Sequence, residues 1–141
     1  MLKRLLGMKF VPTNTALGLL LLRVLAAGPL FIHHGIEKLF GFSRMAANFP
    51  DPIHIGVIPS LLYAAFSDGI CTLLLALGLG TRWAAFFVLV NLFVAWSAFH
   101  HFTFFGQGNE HGELMVVYMG VMLAIVALGP GKYSVDNAIG A

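Results

Sequence analysis

The chain of 141 residues is 59% hydrophobic and only 10% charged, with a formal net charge of +2. Soluble globular domains are typically about half apolar and about a quarter charged, so this composition excludes an ordinary soluble domain and favours a membrane protein. The small positive charge is dispersed along the chain, which argues against a nucleic-acid partner, and a single cysteine, Cys71, excludes an internal disulfide.

Four apolar stretches define the predicted architecture. A helix needs about 20 mainly apolar residues to cross a bilayer, and the stretches at about 15–40, 57–79, 82–102 and 112–129 meet that requirement. The later connections are short, so consecutive helices are expected to be antiparallel neighbours. The sequence therefore predicts an all-α integral membrane protein in which residues 1–141 form one domain, a four-transmembrane-helix antiparallel bundle.

The distribution of basic residues predicts how this bundle is oriented. Two of them, Lys38 and Arg44, fall at the connector after the first helix. Arg23 lies within the first helix, and the remaining five fall at the N-terminus, the second connector and the C-terminus: Lys3, Arg4, Lys9, Arg82 and Lys132. Because cytoplasmic loops are enriched in Lys and Arg, both termini are expected in the cytoplasm and the first connector on the outer side.

The first helix carries ionisable residues in the stretch "FIHHGIEKLFGF". At 100° per residue, Arg23, His34 and Glu37 fall within about 60° of one another, which makes a polar stripe. His33 lies on the flank of this stripe, because adjacent residues point about 100° apart. Ionisable residues in a spanning helix normally face the bundle interior, so the stripe predicts a functional site.

Residue counts along the helices predict a shared level for several of these groups. His34 follows Thr15 by nineteen residues and His101 follows Arg82 by nineteen, so each is expected about 28 Å above the cytoplasmic boundary. The fourth helix starts at the same outer boundary. We therefore expect one polar layer near the periplasmic surface, formed by His34, Glu37, His100 or His101, His111 and Glu113.

A second polar group is expected deeper in the membrane. Asp68 lies about 16 Å from the cytoplasmic end of the second helix, and Asn91 lies near the middle of the third. Arg23, about 12 Å up the first helix, is the expected counter-ion of Asp68. Lys38 is instead expected to extend its ammonium group to the lipid headgroups.

The sequence resembles the DoxX family of small four-helix membrane proteins between about Leu19 and Ala138. The resemblance is carried by "LLRVLAAGPLFIHHGIEKLFGF", by "LALGLGTRWAA" and by "GELMVVYMGVMLAIVALGPGKYSVD". The acid of the second helix is commonly glutamate in that family, whereas Asp68 is the nearest acid here. The resemblance implies a multi-pass protein of the bacterial cytoplasmic (inner) membrane that is linked to respiratory or redox chemistry.

Three functions fit these features, and the first is a quinone-reactive redox subunit, either a quinone-linked oxidoreductase or a subunit of one. Quinone reduction needs titratable groups at the membrane boundary, and the predicted catalytic residues are His34, Glu37, His101 and Glu113. The predicted cofactor-binding residues are Arg23, His33, Asp68, Asn91 and His100. The chain has no flavin or nicotinamide fingerprint, so electrons must come from a substrate, a metal centre or a second oxidoreductase subunit.

The second function is a haem or divalent metal site, and the third is a non-catalytic membrane anchor or assembly factor for a soluble oxidoreductase. Imidazole and carboxylate groups are common metal ligands, so the predicted ligand set is His34, His101, His111 and Glu113. The sequence leaves open a homo-oligomer as well as a partner subunit, and beyond these the lipid bilayer is the expected partner.

Overall fold

A computed structural model describes Gly7, residues 12–104 and residues 112–141, apart from the side chain of His100. Within these stretches the structure is helical and contains no strand. The helices are α1 (Thr15–Phe40), α2 (Phe42–Met45), α3 (Val57–Leu77), α4 (Thr81–His100), α5 (Gly112–Leu128) and α6 (Val135–Ile139). The predicted spans correspond to α1, α3, α4 and α5, and their ends differ from the prediction by two residues or fewer.

The long helices differ in how well their length suits a membrane. Among the described residues, α1, α3 and α4 are long and apolar enough to cross a bilayer. The apolar helix α5 has 17 residues, which gives a length of about 26 Å against a hydrocarbon core of about 30 Å. The structure thus confirms the helical fold of the described residues and identifies three helices of spanning length among them.

The helices share one core. The α4 helix packs along α5, and α1 packs against the last turns of α3 and also touches α5. A turn at 78–80 reverses the chain between α3 and α4, with Gly78 and Gly80 at φ values of 75° and 56° that favour glycine. The fully buried core side chains come from all four long helices: Ala27, Leu61, Leu75, Ala85, Val88, Met122 and Ile125.

Both α1 and α3 contain a widened, π-helical turn, at Phe31–Gly35 and Phe66–Cys71. Pro29 lies just before the first of these turns, and its missing N–H group interrupts the regular hydrogen bonding. Directly after the second turn, the Thr72 hydroxyl donates to the carbonyl oxygens of Asp68 and Gly69 within it. Such turns insert an extra residue into a helix and occur frequently at functional sites.

The two widened turns lie directly against each other. A Cβ atom at Gly35 would lie 2.2 Å from the carbonyl oxygen of Asp68, so only glycine permits this approach. On the other side of the contact, a Cβ atom at Gly69 would lie 2.7 Å from the side chain of Leu39. Because of this close approach, Gly35 of α1 and Asp68 of α3 lie at the same height along the bundle.

Candidate functional site

A cleft of about 450 Å³ is formed by α1, α3, α4, α5 and the connector before α3. It opens to the surface of the bundle, where His34, Phe99 and Leu114 of its lining are exposed. Its polar side chains are His34 and Lys38 from α1, Asp68 from α3, Asn91 from α4 and Tyr118 from α5. The rest of the lining is apolar: Leu30, Phe49, Pro50, Ala64, Leu92, Ala95, Phe99, Leu114 and Met115. We call this the polar cleft.

An ion pair forms the centre of the polar cleft. The Nζ atom of Lys38 lies 2.8 Å from Oδ2 of Asp68, and the two side chains are only 13% and 9% exposed. The other carboxylate oxygen, Oδ1, accepts a hydrogen bond of 2.8 Å from Nδ2 of Asn91. Asp68 therefore joins α1, α3 and α4, and each of its oxygens has a donor.

Local helix geometry places Lys38 and His34 together in the cleft. They are four residues apart on α1 and so occupy the same face, one turn from each other. Lys38 also donates a hydrogen bond of 3.5 Å to the carbonyl oxygen of His34. The widened turn at Phe31–Gly35 shifts the rotational position of everything that follows it, and this shift brings Lys38 to face Asp68.

Two expectations for the charged residues were wrong. Lys38 does not extend to the headgroups, because its ammonium group is paired with Asp68. Arg23 is not the counter-ion of Asp68, because it lies at the far end of α3. There its guanidinium donates to the carbonyl oxygens of Leu75 at 3.3 Å and Ala76 at 3.5 Å, and also to the carbonyl of Tyr133.

The position of Arg23 explains why the depth count misplaced these groups. The guanidinium contacts the last turn of α3, so about 12 Å of α1 before Arg23 extends beyond the end of α3. Counted from Arg23, His34 is about 16 Å up α1, whereas Asp68 is about 14 Å from the end of α3 at Leu77. His34 therefore lies at the level of Asp68, about 9 Å before the end of α1 at Phe40.

The other predicted catalytic residues lie elsewhere. His101 is about 30 Å along α4 from Thr81, at the opposite end of that helix, and is exposed. Glu113 is exposed in the first turn of α5, and the side chain of Glu37 is 57% exposed and 3.9 Å from Arg44. Among the described residues, these three and the exposed His33 do not line the polar cleft.

The predicted haem or metal ligands do not converge in the described part of the chain. Those residues contain no group of three or more His, Cys, Asp or Glu side chains that could hold a metal ion. His111 and the side chain of His100 lie outside the described residues. The donor set that the structure does bring together, an ammonium, a carboxylate and an amide, suits an organic polar group better than a metal, because ammonium cannot be a ligand while protonated.

Two residues of the cleft were missed as functional candidates, Lys38 and Tyr118. The four-residue spacing between His34 and Lys38 was the available signal for the first, because it places both side chains on one helix face. Tyr118 had no signal of its own in the sequence. It lies in the middle of α5 between apolar residues and reaches the cleft only through the packing of α5 against α4.

These features define a helical membrane protein with a partly polar cleft between its long helices. Residues 18–101, which cover α1 to α4, match the model of the DoxX family, and the chain belongs to that family. It is 29% identical to an uncharacterised protein of Haemophilus influenzae over 132 residues, covering 89% of this chain and 85% of that protein. A second uncharacterised H. influenzae protein is 33% identical over 118 residues, covering 77% of this chain and 81% of the relative. No solved structure matches the chain significantly.

Proposed function

We propose that this chain is a quinone-reactive redox subunit of a bacterial cytoplasmic membrane, with the polar cleft as its quinone site. The observation that carries the proposal is the composition of the cleft. Proton-carrying groups, His34 and the Lys38–Asp68 pair, meet at one place, while most of the remaining wall is apolar. Ligand pockets for apolar molecules with a polar end have this pattern and volumes of about 300–1,000 Å³.

The chemistry that a quinone supplies is the uptake of two electrons and two protons. Lys38 is the residue placed to donate to a carbonyl oxygen, because its ammonium has three N–H donors and the Asp68 carboxylate and the His34 carbonyl oxygen use two of them. Asp68 holds that ammonium in place, and Asn91 in turn holds the Asp68 carboxylate. His34, one turn away on the same face, is the second proton donor, since imidazole titrates near neutral pH in water.

A second oxidoreductase subunit is proposed as the source of the electrons. The sequence has no flavin or nicotinamide fingerprint. In this arrangement the chain binds the quinone and supplies protons, and the partner supplies electrons.

Quinone retained by the purified protein tests the proposal. Solvent extraction followed by mass spectrometry would give moles of quinone per mole of protein for the wild type, His34→Gln and Asp68→Asn. We expect retention by the wild type and a clear loss in both variants. Glu37→Gln is the matched control, because Glu37 is a neighbouring acid on α1 that lies outside the cleft. A quinone-free wild type, or equal retention in all four proteins, would contradict the proposal.

We also propose that the chain crosses the membrane four times, with both termini in the cytoplasm. The α5 helix supports the fourth span, because it is apolar and packs along α4 for most of its length. Arg82 and Lys132 lie near the same end of the bundle, as the Arg23 contacts to Leu75 and Tyr133 indicate, which is the pattern expected for a cytoplasmic side.

Cysteine labelling distinguishes four spans from three. Cys71 is the sole cysteine and is buried, so a Cys71→Ser background carries no other reactive thiol. In spheroplasts an impermeant maleimide is expected to label Asn48→Cys in the first connector and to label Ala138→Cys only after lysis. Labelling of both positions in intact spheroplasts would indicate three spans and would contradict the proposed topology.

A further inference from the structure

A second cavity adjoins the polar cleft. It has a volume of about 480 Å³ and lies between α3 and α4 under the connector that precedes α3. Five residues line both cavities: Phe49, Ala64, Asn91, Ala95 and Phe99. The two spaces are therefore separated by a single layer of side chains, which includes the small residues Ala64 and Ala95. We call the second space the lateral cavity.

The lateral cavity offers almost nothing to a polar ligand, because its own polar groups are already bonded within the protein. The Tyr63 hydroxyl donates to the carbonyl oxygen of Phe87 at 3.0 Å. The Ser60 hydroxyl donates to Oδ1 of Asp51 at 2.8 Å. The Asn91 amide donates to Asp68 on the side of the polar cleft. The remaining lining is apolar, so the chemistry of this space favours a hydrocarbon occupant.

Hydrogen bonds to Asp51 fix the outer wall of the lateral cavity. Its carboxylate accepts from the backbone N–H groups of Ile55 at 3.1 Å and Gly56 at 2.8 Å, in addition to the Ser60 hydroxyl. These bonds tie the connector to the first turns of α3. The apolar side chains of Ile53 and Ile55 line the cavity while remaining about half exposed, as expected for an opening that faces the bilayer hydrocarbon.

We infer that the lateral cavity holds the isoprenoid tail of the quinone whose head occupies the polar cleft. The inference rests on the proposed function and adds that tail length determines affinity. The tail would pass between Ala64 on α3 and Ala95 on α4, and larger residues at these positions would close that passage. An amphiphile with a proton-accepting head and a long apolar chain fits the two adjoining spaces, one partly polar and one apolar.

Binding measurements with quinones of different tail length test the inference. The probes are a benzoquinone without a tail and the same head with two and four isoprene units, each titrated into detergent-solubilised protein. On binding, the tail moves from detergent into the protein, so the affinity that it adds comes from close packing rather than from leaving water. We expect the tailed quinones to bind about tenfold more tightly than the tail-less one. An affinity that does not change with tail length would overturn the inference.

The variant Val94→Trp fills the lateral cavity without touching the polar cleft, because Val94 lines only the former. It is expected to reduce the affinity for tailed quinones to that of the tail-less quinone and to leave the tail-less quinone unaffected. Val117→Trp on α5 is the matched control, because Val117 is exposed and lies outside both cavities. An equal loss for all three quinones in Val94→Trp would overturn the inference.

A photoreactive diazirine at the end of the tail provides a readout that is independent of affinity. Cross-linked peptides are expected to contain Phe86, Val90 or Val94 of α4, which line the lateral cavity. Labelling confined to α5 would overturn the inference. Failure of the proposed function is a separate result, since no quinone of any tail length would then bind and Asp68→Asn would change nothing.

Discussion

The Nζ atom of Lys38 lies 2.8 Å from Oδ2 of Asp68, and this contact joins α1 to α3 inside the bundle. The pair lies where two widened helical turns meet, and Asn91 of α4 completes the set of donors to the carboxylate. An unpaired charge inside a membrane protein costs several kcal/mol of free energy. Pairing Lys38 with Asp68 reduces this cost for both side chains. The pair is thus both a structural link and the most concentrated chemistry in the described chain.

Removing one charge of this pair should destabilise the protein more than removing both. Lys38→Met and Asp68→Asn each leave a buried group without its partner, and each is expected to lower the free energy of unfolding by about 3 kcal/mol. The double variant should lose less than either single variant, and therefore clearly less than the sum of the two. Reversible unfolding in mixed micelles measures all three, and simple additivity would show that the two groups do not interact.

Gly35→Ala should separate α1 from α3. The added methyl group would lie 2.2 Å from the carbonyl oxygen of Asp68, and backbone at that distance cannot yield without moving a helix. We expect a loss of about 2 kcal/mol in the free energy of unfolding. Gly18→Ala is the control on the same helix, since a Cβ atom there meets nothing within 4 Å. Equal stability of the two variants would mean that the close contact is not maintained.

Asp136 should make stability depend on acid pH. Burial raises the pKa of its carboxyl group, but the Thr81 N–H and hydroxyl, the Gly80 N–H and the charge of Arg23 outweigh burial and lower the pKa below its ordinary value. A lowered folded-state pKa contributes stability that is complete above the unfolded value of about 3.9 and is lost as the pH falls below it.

The comparison of wild type with Asp136→Asn isolates this contribution. The carboxylate accepts from Gly80 N at 2.7 Å and from Thr81 N at 2.9 Å, at the start of α4. Its replacement is expected to cost about 2 kcal/mol at pH 7. Unfolding measured from pH 7 to pH 3 should show the gap between the two proteins narrowing below about pH 4. A gap that stays constant or widens toward pH 3 would contradict the lowered pKa.

The histidines should differ sharply in their effect on quinone binding. His34 lines the polar cleft, whereas His101 lies about 15 Å beyond Asn91 of the cleft along α4. His34→Gln is expected to reduce quinone retention, and His101→Gln and Glu113→Gln are expected to leave it within error of the wild type. If the last two variants reduced retention as much as His34→Gln did, the site would lie near the outer surface instead.

Hydropathy was enough to predict where the long helices begin and end, because length and apolar content are local properties of the chain. The predicted stretch 57–79 and the observed Val57–Leu77 differ only at the final turn. Polar residues within these spans were also recognised as site candidates from their cost in a membrane. His34, Asp68 and Asn91 were found in this way, and the structure brings them together in one cleft.

Relative helix levels were not predictable, because they depend on contacts between distant residues. The count from Thr15 assumed that α1 and α3 end at the same level, whereas the Arg23 contact to Leu75 shows that α1 extends beyond α3. Because the prediction ignored this offset of about 12 Å, it paired Arg23 with Asp68 and placed His34 at the level of His101. The widened turns added a rotational shift, so a constant 100° per residue could not place Lys38 in the cleft.

The widened turns also affect how this chain can diverge. Each holds one residue more than a regular helix would fit into the same rise. Because the turn absorbs that residue, deleting it would restore regular coiling and leave later side chains, such as Lys38, facing the same way. A relative with a single-residue gap within Phe31–Gly35 or Phe66–Cys71 is therefore expected to lack the widened turn and still keep the buried pair.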